Sequence, residues 1–286
     1  MSDDNEFIDN KPTTGHEWDG IKEFDNPLPR WWLWTFYATI LWGIAYTIAY
    51  PAWPLINGAT PGLLEYSSRL DVEADIQKYR NDNAAVDAKI ASVELSEISK
   101  DPELMNYALN GGRAVYKTWC VQCHGEGADG FIGFPNLIDD DWLWGGSIEA
   151  IHQTISHGIR TEEDDVTRYS EMPKFGEFLE EAEIAQLVAH VQAISGQEHD
   201  TTAAAAGAVL FEDNCAACHG EAGLGDREQG APNLTDAIWL YGGSPDALTS
   251  SIANARFGVM PAWSGRLTES QIRQVSTYVH QQGGGE

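Results

Sequence analysis

The longest apolar stretch of the chain lies at residues 31–50, which read WWLWTFYATILWGIAYTIAY and contain no charged side chain. About 20 such residues are enough to cross the hydrocarbon core of a bilayer as a helix. Trp and Tyr cluster at both ends of the stretch, as at the two membrane–water interfaces, and Pro51 follows where the helix would end. The pattern predicts a single membrane-spanning helix. The mostly acidic segment before it is unlike a cleaved signal peptide, so the helix should be retained.

Residues 63–100 are polar and contain no glycine, and their apolar positions are too irregular for one amphipathic face. We expect a helical stalk here, with a break near residues 81–83, which read Asn-Asp-Asn. Asp101, Pro102 and Glu103 then have the order of a helix N-cap, a first-turn proline and an early acidic residue. A new helix should begin at this point and open the first folded domain.

The rest of the chain is an internal repeat with an offset of about 95 residues. Pro-Asn-Leu occurs at residues 135–137 and again at 232–234. In both copies a Trp, Trp142 or Trp239, lies three residues before a Gly-Gly-Ser. Such self-similarity indicates two tandem copies of one small domain. Each copy has three stretches with helical periodicity, so the folded part should be all-α. The predicted helices span residues 106–119, 147–156, 180–194, 203–214, 244–253 and 268–281.

The charge of the chain is strongly negative, at −27, from 44 acidic residues against 17 Lys and Arg. Such a charge repels nucleic acid and anionic lipid, so neither is expected to bind the soluble part. Lys11, Lys22 and Arg30 precede the apolar stretch, whereas the 20 residues after Ile56 contain only Arg69. The positive-inside rule therefore predicts a cytoplasmic N-terminus and a repeat region on the outer side.

All four cysteines belong to two Cys-x-x-Cys-His motifs, at residues 120–124 and 215–219. In c-type haem attachment, two thiols add to the vinyl groups of the porphyrin and the adjacent His ligates the iron. A zinc site would need four ligands in one cluster, and a thioredoxin-like redox pair would lie in a βαβ pattern, so the sequence favours neither. We predict two covalently bound haem c groups. The residues that hold them are Cys120, Cys123, His124, Cys215, Cys218 and His219.

The opposite face of each iron needs a second ligand, and a methionine thioether suits iron that changes oxidation state. Met172 and Met260 are the candidates, because each lies 41 to 48 residues after a haem His and precedes Pro. Sequence distance makes local pairing the default, with Met172 on the first iron and Met260 on the second, but tandem domains can also exchange ligands. A dihaem peroxidase, which needs one iron with an open face, is disfavoured by two such methionines.

Other residues of the repeats have less definite roles. Arg160 and Arg256 occupy similar places before the methionines, where a haem propionate would need a cation, but a solvated surface arginine fits as well. Trp142 and Trp239 suit either a haem pocket or an ordinary core. The first copy carries about nine additional residues within the acid-rich segment 160–170, which should form an exposed loop. The histidines interpreted as surface or packed residues are His152, His157, His190, His199 and His280.

Residues 19–32, which read DGIKEFDNPLPRWW and lead into the apolar stretch, resemble the N-terminal signature of the dihaem subunit of cbb3-type cytochrome c oxidases. The resemblance continues through the span, the stalk and both haem motifs, and so covers nearly the whole chain. The predicted order is a cytoplasmic segment at 1–30, a transmembrane anchor at 31–56, a helical stalk at 57–100, and cytochrome c domains at 101–197 and 203–286.

The resemblance implies a place in an oxidase complex of the bacterial inner membrane, with the haem domains in the periplasm. The haems would accept electrons from a donor cytochrome c and pass them to a monohaem subunit and then to a haem-copper catalytic subunit that reduces oxygen to water. Oxygen chemistry should occur on that other polypeptide, since this sequence has no array of copper-ligand histidines. The alternative is a stand-alone, membrane-tethered dihaem cytochrome that shuttles electrons between complexes.

Overall fold

The computed structural model describes residues 7–8 and 11–285 of the chain. By their internal contacts the residues fall into two units, Met1–Asn81 and Asp82–Glu286. The first unit contains the apolar stretch, and the second contains the repeat.

A small antiparallel sheet lies near the N-terminus, in the strand order β1-β2-β3. Its strands are β1 (Phe7–Ile8), β2 (Lys11–Trp18) and β3 (Ile21–Phe24). Trp18 pairs with Ile21 across a turn in which Asp19 and Gly20 both have positive φ, of 51° and 82°. Asp-Gly is a favoured pair for such two-residue hairpin turns. The all-α expectation is therefore wrong for this segment, where the Asp-Gly turn was the signal for a hairpin.

Helix α1 (Arg30–Ala49) coincides with the apolar stretch, and its side chains are exposed or partly exposed. Its three threonines donate hydrogen bonds to carbonyls of their own helix, at 2.7 to 3.0 Å. A short hairpin of β4 (Pro54–Leu55) and β5 (Gly58–Ala59) follows. Judged by length and mean hydropathy, none of the helices within the described residues is long and apolar enough to cross a membrane.

The stalk is a single helix, α2 (Ser68–Ser92), which continues through residues 81–83. The predicted break at these positions is wrong, because Asn and Asp each cost an exposed helix less than about 1 kcal/mol, unlike Pro. The helix ends instead before Glu94. Its last turns, with the short helix α3 (Leu95–Ile98), pack Ile90 and Ile98 against Leu104 of the next helix.

The second unit is helical, in agreement with the sequence. Asp101 caps its first long helix by accepting hydrogen bonds from the backbone N–H groups of Glu103 and Leu104, at 3.0 and 3.2 Å, and Pro102 is the first helical residue. A 3₁₀ turn at Phe175–Glu177 precedes the helix that begins at Glu181. The helices are α4 (Pro102–Trp119), α5 (Val121–His124), α6 (Ile148–His157), α7 (Glu181–Ile194), α8 (Thr201–Asn214), α9 (Ala216–His219), α10 (Pro245–Asn254) and α11 (Glu269–His280).

The long helices of the two repeats are paired across the repeat boundary. Helix α4, which opens the first repeat, packs on α11, which closes the second, and α7 packs on α8. The first core joins Tyr116 of α4 and Ile155 of α6 to Val275 of α11. The second core joins Leu187 of α7 to Phe211 of α8 and residues of α10. The first core thus contains residues from both sequence repeats.

Candidate functional site

Each Cys-x-x-Cys-His motif is placed by the end of a long helix. The N–H of Cys120 closes the last turn of α4 on the carbonyl of Tyr116, and α5 carries the rest of the motif. Cys215 is placed in the same way by α8. Both motif helices end at a glycine with positive φ, Gly125 at 82° and Gly220 at 75°, a conformation that other residues rarely adopt. The chain therefore turns away directly after each His.

The two motif histidines are oriented by backbone carbonyls. Nδ1 of His124 donates to the Pro135 carbonyl at 3.1 Å, and Nδ1 of His219 donates to the Pro232 carbonyl at 3.0 Å. A carbonyl can only accept, so Nδ1 carries the proton and Nε2 keeps its lone pair. Burial lowers the pKa of both imidazoles and favours this neutral form. Both histidines can therefore ligate a metal through Nε2.

Pro135 and Pro232 were recognised in the sequence only as parts of the repeat. Both belong to the Pro-Asn-Leu motif, which the sequence analysis used to align the copies. Each proline follows its motif histidine at the same distance, apart from two residues inserted in the second copy. This spacing was the signal in the sequence for their role.

None of the four motif cysteines forms a disulfide. Burial, and next the neighbouring motif cysteine, raise the pKa of Cys120 and of Cys215 to about 11. Thiols of this kind are protonated at neutral pH, whereas the reactive cysteine of a thioredoxin-like pair has a lowered pKa. The raised pKa of these thiols is therefore unlike the lowered pKa of a thioredoxin-like reactive cysteine.

A cavity of about 460 Å³ lies against the second motif. Cys215, Cys218, His219 and Met172 all line it, and most of its remaining wall is apolar. A largely apolar cleft of this size, with two thiols and one imidazole on its wall, fits a flat hydrophobic group attached through the cysteines. The residues present therefore fit a covalently bound haem.

Each candidate methionine packs beside the motif of the other repeat. Met260 packs against the first core together with Cys120 and Trp142, and Met172 packs against the second core together with Cys215. Each methionine thus lies with the motif of the other repeat, a packing that favours exchanged pairing over the local default. The exchange follows from the helix pairing, because each Met-Pro segment stays with the closing helix of its own repeat.

The two sites are neighbours. The cavity at the second motif is also lined by Phe131, Phe134 and Pro135, which belong to the loop after the first motif. In that loop the N–H of Gly133 donates to the Leu240 carbonyl at 2.8 Å. The carbonyl that orients His124 thus belongs to a residue on the wall of the second site.

Arg160 and Arg256 both line the cavity at the second motif, but they are not equivalent positions of the two repeats. Arg168 donates to the Trp144 carbonyl at 2.7 Å and to Thr154 Oγ1 at 2.8 Å. Arg256 makes the matching contacts in the second repeat, with the Tyr241 carbonyl at 3.2 Å and Ser251 Oγ at 2.8 Å. Arg168, not Arg160, is therefore the structural counterpart of Arg256.

Several histidines without an assigned role have ordinary partners. His152 pairs with Glu269, His157 pairs with Asp164, and the ring of His190 lies 5.0 Å from that of Phe211. The Asp164 contact closes part of the acidic loop at residues 160–170.

Asp141 makes the folding stability of the chain depend on pH. Burial, and next the charges of Asp236 and Asp139, raise the pKa of this half-buried carboxyl to about 6. The folded chain then binds the proton more tightly than the unfolded chain, so Asp141 lowers stability above pH 6, and this penalty is lost as the pH falls towards 3.8. Asp141→Asn should stabilise the haem-loaded chain by about 1 kcal/mol at pH 8, since solvent screens a half-exposed group, and by little near pH 4. Urea unfolding at the two pH values measures the difference.

Asp140→Asn is the matched control, because it removes the same charge from an exposed neighbour. It should change the stability at pH 8 by a smaller amount. Equal gains from both variants would show that reduced net charge, and not the burial of Asp141, is the cause.

Comparison with known proteins agrees with this geometry. Residues 10–57 match the family model described as the N-terminal domain of cytochrome oxidase-cbb3, FixP. Residues 108–191 and 202–279 match the model of cytochrome c oxidase, cbb3-type, subunit III.

Three relatives cover almost the full length. The cbb3-type cytochrome c oxidase subunit CcoP of Cereibacter sphaeroides is 60% identical over 277 residues, which are 96% of each chain. CcoP of Rhodobacter capsulatus is 54% identical over 285 residues, also 96% of each chain. Subunit FixP of Azorhizobium caulinodans is 50% identical over 275 residues, which are 96% of this chain and 94% of that protein. The chain therefore belongs to the family of cytochrome c subunits, subunit III, of cbb3-type cytochrome c oxidases.

Proposed function

We propose that this chain is a membrane-anchored dihaem subunit that accepts electrons from a donor cytochrome c and passes them to the other subunits of a cbb3-type oxidase. The observation that carries the proposal is the pair of Cys-x-x-Cys-His sites in one folded unit, each with an imidazole that keeps Nε2 for a metal. Relatives with matching full-length sequences are named as subunits of such oxidases.

Two haem c groups would be held by the residues of these sites. Cys120 and Cys123 would attach the first and Cys215 and Cys218 the second, with His124 and His219 as ligands on one face. Met260 would complete the first site and Met172 the second, as their packing indicates. Bound haem supplies a one-electron couple, and the soft thioether favours the reduced iron. The protein shields the groups from water and keeps their ligands in place.

The adjacency of the sites supports electron exchange within the chain. The loop that orients His124 also bounds the second cavity, so no partner is needed between the two sites. Groups held at the two sites would then be close enough for electrons to pass between them. The oxygen-reducing step and the monohaem relay belong to other subunits in this proposal.

We place the membrane anchor at α1, which is 20 residues long and starts after Pro29. Its exposed Trp and Tyr side chains reduce its mean hydropathy, but these residues favour the membrane–water interface. Its threonine hydroxyls are bonded to the helix backbone, as lipid contact requires. With Lys11, Lys22 and Arg30 before it, the N-terminus would be cytoplasmic and the haem domains, at 101–197 and 203–286, periplasmic.

The N-terminal hairpin offers a surface for a partner subunit. Trp18 and Ile21 face each other across the strands and are about 70% exposed. Replacing both by Ser should abolish copurification of the haem-copper and monohaem subunits, because a buried aromatic anchor typically contributes 2 kcal/mol or more to an interface. Covalent haem on this chain should be unchanged. Detergent extraction followed by haem staining and copper analysis gives both readings.

Leu63→Ser is the control, since Leu63 is 80% exposed and lies outside the matched N-terminal segment. It should leave the complex intact. If the wild-type chain itself purifies free of any b-type haem or copper protein, the oxidase assignment fails and a stand-alone electron shuttle takes its place. If the hairpin variant also keeps its partners, the assignment stands and the docking surface is elsewhere.

A further inference from the structure

Arg160 joins the two methionine-bearing segments. Its Nε donates to the Ser170 carbonyl at 2.5 Å, and its Nη1 donates to the Gly258 carbonyl at 2.9 Å. Ser170 lies two residues before Met172, and Gly258 lies two residues before Met260. One guanidinium thus bonds equivalent positions of both segments, although these are 88 residues apart in sequence.

The backbone beside Arg160 strengthens the connection to Met260. The N–H of Ile159 donates to the Met260 carbonyl at 2.9 Å, and the N–H of Met260 donates back to Ile159 at 3.0 Å. The N–H of Arg160 donates to the Arg168 carbonyl at 2.8 Å. Arg160 itself has a positive φ of 53°, which a non-glycine residue adopts only at a cost. Its bonds to the two segments compensate for this conformation.

The guanidinium is held between aromatic rings. Its Cζ lies 6.0 Å from the ring centre of Trp144 and 5.4 Å from that of Phe257. Trp144 comes from the first repeat and Phe257 from the second. The planar group is therefore fixed in direction as well as position, and its two donors cannot easily turn to solvent.

The other two arginines of this region act within one repeat each. Arg168 binds groups near α6, and Arg256 binds groups near α10, in matching geometry. Arg160 departs from this pattern because its acceptors come from both Met-Pro segments. Arg168 and Arg256 therefore each bind groups of one repeat, whereas Arg160 binds both methionine segments.

We propose that Arg160 is a positioning residue that holds both methionine segments at once and so couples the axial ligation of the two haems. The inference rests on the proposed ligation of iron by Met172 and Met260. Loss of the guanidinium removes one hydrogen bond from each segment, so both methionines should dissociate more readily. A charge-assisted hydrogen bond is worth about 1.5–3 kcal/mol, so the ratio of methionine-free to methionine-bound haem should rise roughly tenfold or more at each site.

The test reads each haem separately. Met172→His and Met260→His each leave one methionine-ligated haem in the full-length, haem-loaded chain. The remaining haem is followed by the far-red absorption band of methionine-ligated ferric haem. Adding Arg160→Ala should weaken this band in both backgrounds. A band that is unchanged in either background overturns the coupling, and a wild-type chain without any such band overturns the ligation proposal instead.

Two further variants distinguish a bridge from a general effect. Arg168→Ala should weaken the band in at most one background, because its contacts lie in one repeat. Arg160→Lys keeps the charge but lacks the planar fork, and should restore the band in no more than one background. Full restoration in both would show that positive charge suffices, against the proposal. If the Ala variant does not retain its haems, the Lys variant provides the reading: an intact band in both backgrounds contradicts the bridge, and loss in at least one supports it.

Discussion

Met260→His is expected to lower the reduction potential of the haem attached at residues 120–124 and to leave the haem at residues 215–219 unchanged. The reason is that Met260 packs with Cys120 against the first core, although it belongs to the second repeat. Exchange of a thioether for an imidazole should lower the potential by roughly 0.2 V, within the range of about 0.8 V that axial ligands span. Met172→His should have the same effect on the other haem.

The two haems can be distinguished by a spectral label. In a Cys218→Ala background the second haem is attached through one thioether and keeps one vinyl group, which shifts its α-band to longer wavelength. Redox titration at the two α-band positions then gives each potential. The label alone, without a methionine substitution, is the control. A fall in the potential of the labelled haem in Met260→His would show that pairing is local and the crossed arrangement wrong.

Gly112→Ala and Gly207→Ala should each destabilise the haem-loaded chain by about 3 kcal/mol. A Cβ at Gly112 would lie 2.2 Å from the carbonyl oxygen of Gln274 in α11, and one at Gly207 would lie 2.0 Å from the carbonyl oxygen of Gln186 in α7. Both contacts are with helix backbone, which cannot move aside as a flexible side chain can. The crossing helices would have to separate. Urea unfolding, followed by haem absorbance and by circular dichroism, measures the loss.

Gly265→Ala is the matched control, because a Cβ there would have open space within 4 Å. It should change stability by less than about 0.5 kcal/mol. Equal stability of Gly112→Ala and Gly265→Ala would mean that α4 and α11 do not cross at this glycine. Gly112→Ala should also disturb the first haem before the second, since α4 and α11 enclose the first core.

Much of the second unit could be predicted from the sequence. The six long helices lie within a few residues of their predicted bounds, because each has a clear cap or apolar periodicity; Asp101 and Pro102 are the clearest example. The motif residues and the two methionines were identified by chemistry that depends on spacing alone. Their packing in two clusters agrees with that interpretation, while ligation itself stays a prediction.

Which methionine packs beside which Cys-x-x-Cys-His motif could not be predicted from the sequence in this way. Helices α7 and α11 correspond in the repeat and present similar apolar positions, such as Leu187 and Val275, so either could close either core. Sequence distance favours the local choice through loop-closure entropy, but that term grows only slowly with length. Packing at the helix crossings favours the crossed choice, and this information is distributed over residues far apart in sequence. The N-terminal hairpin was missed for a simpler reason: its Asp-Gly turn was interpreted only as part of a family signature.

The crossed helices also set an order of events in biosynthesis. Helix α4 ends at Trp119, and its partner α11 begins at Glu269, so about 150 further residues must be synthesised before the first core can close. Helices α7 and α8 are neighbours in sequence and can associate as soon as they are made. The site that comes first along the polypeptide should therefore be the last to mature, and its cysteines stay accessible to haem-attachment enzymes for longer.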